Sequence, residues 1–139
     1  MKILVINGPN LNMLGIREPS IYGKQDFAAL QAYIRESAEA LGHSVTLFQS
    51  NHEGEIVDVI QAAYGVYDGI IINPAAYTHT SVAILDALKA VGIPTVEVHL
   101  SDVNSREEFR RHSFVSLVAK KTIAGLGFEG YKQALEYFA

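Results

Sequence analysis

Continuous apolar runs separated by stretches of helical periodicity constrain this chain more than any other feature. Ile3, Leu4, Val5 and Ile6 form one such run, and Gly69-Ile70-Ile71-Ile72 forms another. A strand with no polar alternation has to be covered on both faces, and a parallel sheet flanked by helices does this. The segments between the runs supply the helices. Asp26 is a predicted N-cap, followed by Phe27, Leu30, Ile34, Ala38 and Leu41 at helical spacing, with Gly42 as the stop. Glu53 to Tyr64 reads as a second helix through Ile56, Val57, Ile60 and Ala63. Thr80 or Ser81 caps a third that carries Val82, Leu85, Leu88 and Val91. Arg106 to His112 is expected to be a short helix, and Phe128 to Phe138 a closing one. Further strands are expected at Ser44–Gln49, where apolar and polar residues alternate, at Thr95–Leu100 after Pro94, and at Thr122–Ala124.

Five strands alternating with helices predict an α/β, doubly wound parallel sheet. The flavodoxin-like three-layer arrangement, with strand order 2-1-3-4-5, is the expectation because it sets the first and third strands side by side. At 139 residues the chain is read as a single catalytic domain, 1–139, with no linker, repeat or low-complexity segment. The net charge of -4 and the lack of a basic stripe argue against a nucleic-acid surface. The absence of cysteine rules out disulfides and thiolate metal sites. No apolar run approaches the length of a membrane span, and Met1-Lys2 leads straight into a strand without a signal-peptide pattern. A cytoplasmic location with no membrane partner is the expectation.

The polar residues fall at the strand ends. Asn7-Gly8-Pro9-Asn10-Leu11-Asn12 follows the first run, Asn73-Pro74 follows the third strand, and His99-Leu100-Ser101 closes the fourth. Ligands of open parallel sheets bind in the crevice beyond those carboxyl ends. Amides, a histidine and a hydroxyl would converge there on a small polar ligand. Along Thr95 to Leu100 the period of two puts Glu97 and His99 on one face, close enough for Glu97 to orient and charge the imidazole; the alternative is a satisfied core histidine. Asn73 to Ser81 leads into a helix N-terminus, where free N–H groups favour an anion, with Asn73 and His79 adding side-chain bonds; it could equally be a plain loop with a capping Thr-Ser. The loop from Gly8 to Gly23, expected to lack regular structure, is long for a compact domain, as lids and binding loops often are. It holds Arg17 and Tyr22; the alternative is a surface loop with an exposed Arg and a packed Tyr. Asn51 and His52, after the second strand, read as structural. No His-x-x-x-His pair, phosphate loop or Gly-x-Ser-x-Gly elbow is present, and a metal site is not expected. The glycine spacing from Gly125 to Gly130 matches a dinucleotide fingerprint only by accident, since no βα unit follows.

These blocks, taken in order, resemble type II 3-dehydroquinate dehydratase. Asn7 to Asn12, Gly15 to Pro19 and Tyr22-Gly23 are similar to its opening, and Gln49 to Gly54 to its second block. Ile72 to Ser81 is similar to its third block; Glu97 to Ser101 and Arg106 to Arg110 resemble its fourth; Ile123 to Gly127 and Gly130-Tyr131 fit its close. Met13 stands where the family usually has Leu, and Asp102 where it usually has Asn. The resemblance implies dehydration of 3-dehydroquinate to 3-dehydroshikimate through an enolate, in the shikimate route to chorismate and aromatic amino acids. It implies no metal or cofactor, and a homododecamer built as a tetramer of trimers. It assigns Tyr22 as the base. A free phenol, with pKa about 10, is too weakly ionised near neutral pH for that role; Arg17 is the cation that would favour the phenolate. It makes Asn10 the stabiliser of the enolate oxygen, His99 the general acid and Glu97 its holder. Asn73, His79, Leu100, Ser101 and Arg110 would hold the substrate, and Asp86 would reach a neighbouring subunit's site. A flavin carrier and a phospho-acceptor domain are competing readings. Asn, Pro and Leu after the first strand disfavour the former, and Asn7 and Asn73 stand where the latter needs acids. A non-catalytic flavodoxin-like module binding a hydroxylated carboxylate is the remaining alternative.

Overall fold

The computed structural model describes residues 1–16 and 25–139, so the expected roles of Arg17 and Tyr22 lie outside the described residues. Five strands, β1 (Lys2–Asn7), β2 (Ser44–Gln49), β3 (Gly69–Asn73), β4 (Thr95–His99) and β5 (Lys121–Ala124), form one parallel sheet in the order β2-β1-β3-β4-β5. Among the described residues four α-helices cover it: α1 (Phe27–Ala40), α2 (Glu53–Ala62), α3 (Val82–Val91) and α4 (Glu129–Tyr137). Among the described residues no helix is long and apolar enough to cross a membrane.

Strand periodicity divides the core in two. Ile3 and Val5 of β1, Ile71 of β3 and Val96 and Val98 of β4 point to one face, where Leu30 and Ile34 of α1 and Tyr131 and Leu135 of α4 pack on them. Leu4, Ile6, Ile70 and Ile72 point to the other, against Ile56 and Ile60 of α2 and Ile84 and Leu88 of α3. Burial of each such side chain contributes about 1.5–3 kcal/mol, which is why Ile3 to Ile6 of β1 and Gly69 to Ile72 of β3 include no polar residue. The caps follow the sequence. The Asp26 carboxylate accepts from the Ala29 N–H at 2.8 Å, and Ser81, rather than Thr80, accepts from Ile84 N–H at 3.0 Å. Gly92 closes α3 at φ 65°, a conformation that favours glycine.

Two expectations change. The first loop is not without regular structure, since Leu11–Met13 makes a 3₁₀ turn. No helix spans Arg106 to His112; one 3₁₀ turn lies within it, at Glu108–Arg110, and another precedes it, at Val103–Ser105. Arg106 and Glu107 have extended backbone, ψ -176° and 149°, which keeps them out of a helix, and Asp102 shapes the turn before them. Its carboxylate accepts from Asn104 N–H at 3.0 Å, and Ser105 Oγ donates to its carbonyl at 2.8 Å. Such side-chain bonds offer the backbone a local alternative to a helix.

The loops after β1 and β3 touch. Gly8 N–H donates to the Asn73 carbonyl at 2.8 Å, extending the β1–β3 pairing past the sheet edge. A Cβ on Gly8 would lie 2.5 Å from the Pro74 carbonyl oxygen, backbone against backbone, so the loops would have to part. Gly8→Ala is therefore expected to cost about 1–3 kcal/mol in urea unfolding. Gly54→Ala, in the first turn of α2 with nothing within 4 Å, should hold or raise stability. Equal effects of the two substitutions would refute the contact.

Candidate active site

The loops beyond β1, β3 and β4 enclose a crevice of about 400 Å³. Asn10, Asn73, His79, His99, Leu100, Ser101 and Arg110, all expected from the sequence, line it. Asp86 does not; it lies exposed on α3, outside its own chain's crevice. Arg106 was not anticipated as a site residue, yet it lines the crevice and donates to Ser101 Oγ at 3.4 Å. Two guanidinium groups thus face a site that also offers amides, imidazoles and a hydroxyl, a composition suited to a hydroxylated carboxylate.

Asn10 sits in the left-handed region, φ 70°, which Asn tolerates better than most residues. Its N–H donates to Asn51 Oδ1 at 3.0 Å, and Gln49 Nε2 donates to Asn51 Oδ1 at 3.2 Å and to the Gly8 carbonyl at 3.2 Å. Tyr77 OH donates to the Asn51 carbonyl at 2.8 Å, tying in the loop after β3. Asn51 is structural, as the sequence suggests, and what it structures is the Asn10 loop. The partners lie about forty residues away in sequence (|i−j| = 41 for Asn10–Asn51), so only the β1–β2 pairing reveals the connection.

A neutral polar network underlies the crevice on the α1–α4 face. Tyr131 OH donates to Asn7 Oδ1 at 2.6 Å and accepts from Asn73 Nδ2 at 3.1 Å, while Asn73 Oδ1 accepts from Ala75 N–H at 3.1 Å. Ala75, on the crevice wall, is held at φ 53°. Burial pushes the Tyr131 phenol up, against the smaller effect of the Asn73 bond, so it remains a neutral hydroxyl. His79 Nδ1–H donates to the His112 carbonyl at 2.7 Å, which fixes that tautomer and leaves Nε2 for a ligand. Arg110 Nε pairs with Glu107 at 2.8 Å, which orients its guanidinium.

The charged pair lies on the opposite face, at the end of β4. Glu97 is fully buried and His99 nearly so, and His99 Nε2 donates to Glu97 Oε2. Ser113 Oγ donates to the same oxygen at 2.8 Å; Ser116 Oγ at 2.6 Å and Thr122 Oγ1 at 3.2 Å donate to Oε1. Burial pushes the Glu97 carboxyl up, but the bonds from His99, Ser116 and Ser113 and the His99 charge outweigh it and hold the group below its ordinary 4.5. The carboxylate is thus an acceptor only, Nε2 must carry a hydrogen, and Nδ1 is the nitrogen free for a ligand. Because the native value lies below the unfolded one, ionised Glu97 stabilises the fold above pH 4.5, and that contribution disappears as pH falls through the lowered native value. Glu97→Gln should therefore be less stable than wild type at pH 7 and lose less stability on acidification. Urea midpoints followed from pH 7 to below 4.5 check this; parallel pH curves for the two proteins would refute it.

The profile of the family described as Dehydroquinase class II matches residues 1–139. A catabolic 3-dehydroquinase 1 of Neosartorya fischeri is 58% identical over 137 residues, 99% of this chain and 91% of the relative. A 3-dehydroquinate dehydratase of Actinobacillus pleuropneumoniae is 54% identical over 136 residues, 98% of this chain and 88% of the relative. The crystal structure of a type II dehydroquinase from Butyrivibrio crossotus superposes with a TM-score of 0.94 at 52% identity, covering 99% of this chain and 96% of that one. With the strand order, the crevice and the Glu97–His99 pair already in place, the match over the whole length establishes that the chain belongs to the class II dehydroquinase family.

Proposed function

We propose that this crevice converts 3-dehydroquinate to 3-dehydroshikimate, the hydro-lyase step of the shikimate route. The observation that carries the reading is His99 held at Nε2 by an ionised Glu97, with Nδ1 open to a crevice that also contains Asn10, Arg106 and Arg110. The elimination needs three things: a base for the proton α to the ketone, a donor for the enolate oxygen, and an acid for the leaving hydroxyl. His99, when doubly protonated, gives its Nδ1 proton to the hydroxyl, which departs as water, and keeps its Nε2–H on Glu97. Asn10 donates to the enolate oxygen, directly or through water, a contribution of about 3–4 kcal/mol for a preorganised donor. Arg110 and the Leu100-Ser101 segment hold the carboxylate and ring hydroxyls together with His79 and Asn73.

The base is Tyr22, activated by Arg17. In its support, no tyrosine is among the described residues lining the crevice, and Tyr131 OH is committed to Asn7 and Asn73. Asp86, exposed on α3, serves the site of a neighbouring copy in a homododecamer built from trimers, and the enzyme works in the cytoplasm without metal or cofactor.

Added 3-dehydroquinate should raise the ultraviolet absorbance of a conjugated enone with purified, chelator-treated protein. No rise from a folded, oligomeric sample would overturn the reading. Tyr22→Phe should bind substrate nearly as well and lose at least about 100-fold in turnover, and Arg17→Ala should lower kcat more than it raises KM; unchanged kcat in either variant would remove that residue from the mechanism. A monomer with full activity on size exclusion would refute the intersubunit role of Asp86.

A further inference from the structure

Ser113, Ser116 and Thr122 do not line the crevice, yet each spends its single hydroxyl hydrogen on Glu97. Ser116 and Thr122 are exposed residues. Although both residues are exposed, their hydroxyls turn inward to Glu97. They come from two separate pieces of chain, the segment after the Glu108–Arg110 turn and β5, and they close over a carboxylate that no solvent reaches. With His99 they fill four acceptor positions, two on each oxygen, which is close to all that a carboxylate offers.

We propose that Ser113, Ser116 and Thr122 are positioning residues for the dehydration: a hood of hydroxyls that keeps Glu97 an acceptor on both oxygens and so fixes His99 with Nε2–H on Glu97 and Nδ1 toward the crevice. The proposal rests on the reading of His99 as the general acid. A protonated Glu97 would itself be a donor, and the imidazole could then place its hydrogen on either nitrogen. Three donors in addition to His99 disfavour that state, because the added proton would face a hydroxyl hydrogen. The titratable group in contact with Glu97 is His99, on its own strand. Its register neighbours are Ile72 on β3 and Thr122 on β5. The covering segment also carries Arg111 and His112, both exposed, and beyond His99 the crevice holds His79, Arg106 and Arg110.

The test is kcat and KM against pH for Ser116→Ala and for Ser113→Ala combined with Ser116→Ala, with Ser116→Thr as the rescue and ring nitrogen NMR of His99 as the direct readout. Each hydroxyl removed should move the acid limb of kcat up by about one pH unit, with KM within about twofold of wild type. The double variant should show a mixture of His99 tautomers, and Ser116→Thr should restore both the limb and the Nε2–H form. A fall in activity with the acid limb unmoved and the Nε2–H tautomer intact would make the hydroxyls merely structural and overturn the proposal. A wild-type profile in the double variant would overturn it too. If the double variant does not fold, Thr122→Val carries the same two readouts. His99→Gln separates the layers: turnover retained there would remove the acid assignment and this proposal with it. Turnover lost there, with wild-type behaviour in the serine variants, removes the proposal alone.

Discussion

A fully buried carboxylate at the end of a central strand is the constraint around which the functional edge of this molecule is arranged. Taking a charge out of water costs several kcal/mol even after relaxation, and Glu97 has no exposure at all. The cost is offset only if donors arrive from elsewhere in the chain. They come from β4 itself, through His99, from β5, through Thr122, and from the segment running under α3, through Ser113 and Ser116. Completing the Glu97 shell therefore requires β5 to be paired and the covering segment to be docked. Neither β5 nor the covering segment lines the crevice, but His99, which does, is bonded to the charge that they satisfy.

The other face of the sheet edge is handled without charge. Asn7 and Asn73, last residues of β1 and β3, are paired in register and both meet the Tyr131 hydroxyl. That hydroxyl is kept neutral by burial. Together with the Gly8–Asn73 backbone bond, this network fixes where the loops carrying Asn10 and Ala75 leave the sheet. The loop after β1 then takes its shape from the Asn10 left-handed backbone and the Gln49–Asn51 brace. Such bracing sets the course of the Asn10 backbone through bonds from outside its own loop.

Much of this was legible in the sequence because it follows from periodicity. The unalternating Gly69–Ile72 run demanded two covered faces, and the alternation in Thr95–Leu100 put Glu97 and His99 side by side; both hold, with β4 ending at His99. Strand order and the β1–β3 neighbourhood hold as well, and with them the convergence of Asn10, Asn73 and His99. What was not legible depends on contacts distant in sequence or on side chains competing with the backbone. Ser116 and Thr122 are 19 and 25 residues from Glu97, and nothing local marks a serine as a carboxylate's partner. Of the helix expected over Arg106 to His112 only the Glu108–Arg110 turn is helical, because Arg106 and Glu107 are extended, and periodicity does not register that choice. Arg106, just past the Val103–Ser105 turn, lines the crevice as well. The Arg17 and Tyr22 expectations fall outside the described residues and rest on the resemblance alone.

The two faces divide the chemistry between them. On one, a phenol is buried so that it stays protonated and acts only as a hinge between two amides; on the other, a buried carboxylate is kept ionised by its donors and acts only as an acceptor. Burial alone would push both groups up, and donor count decides the difference: Tyr131 gives its one hydrogen away and accepts one bond, whereas Glu97 accepts four. The sheet edge thus presents His99 with a fixed hydrogen on Nε2 next to neutral amides that titrate nowhere near physiological pH.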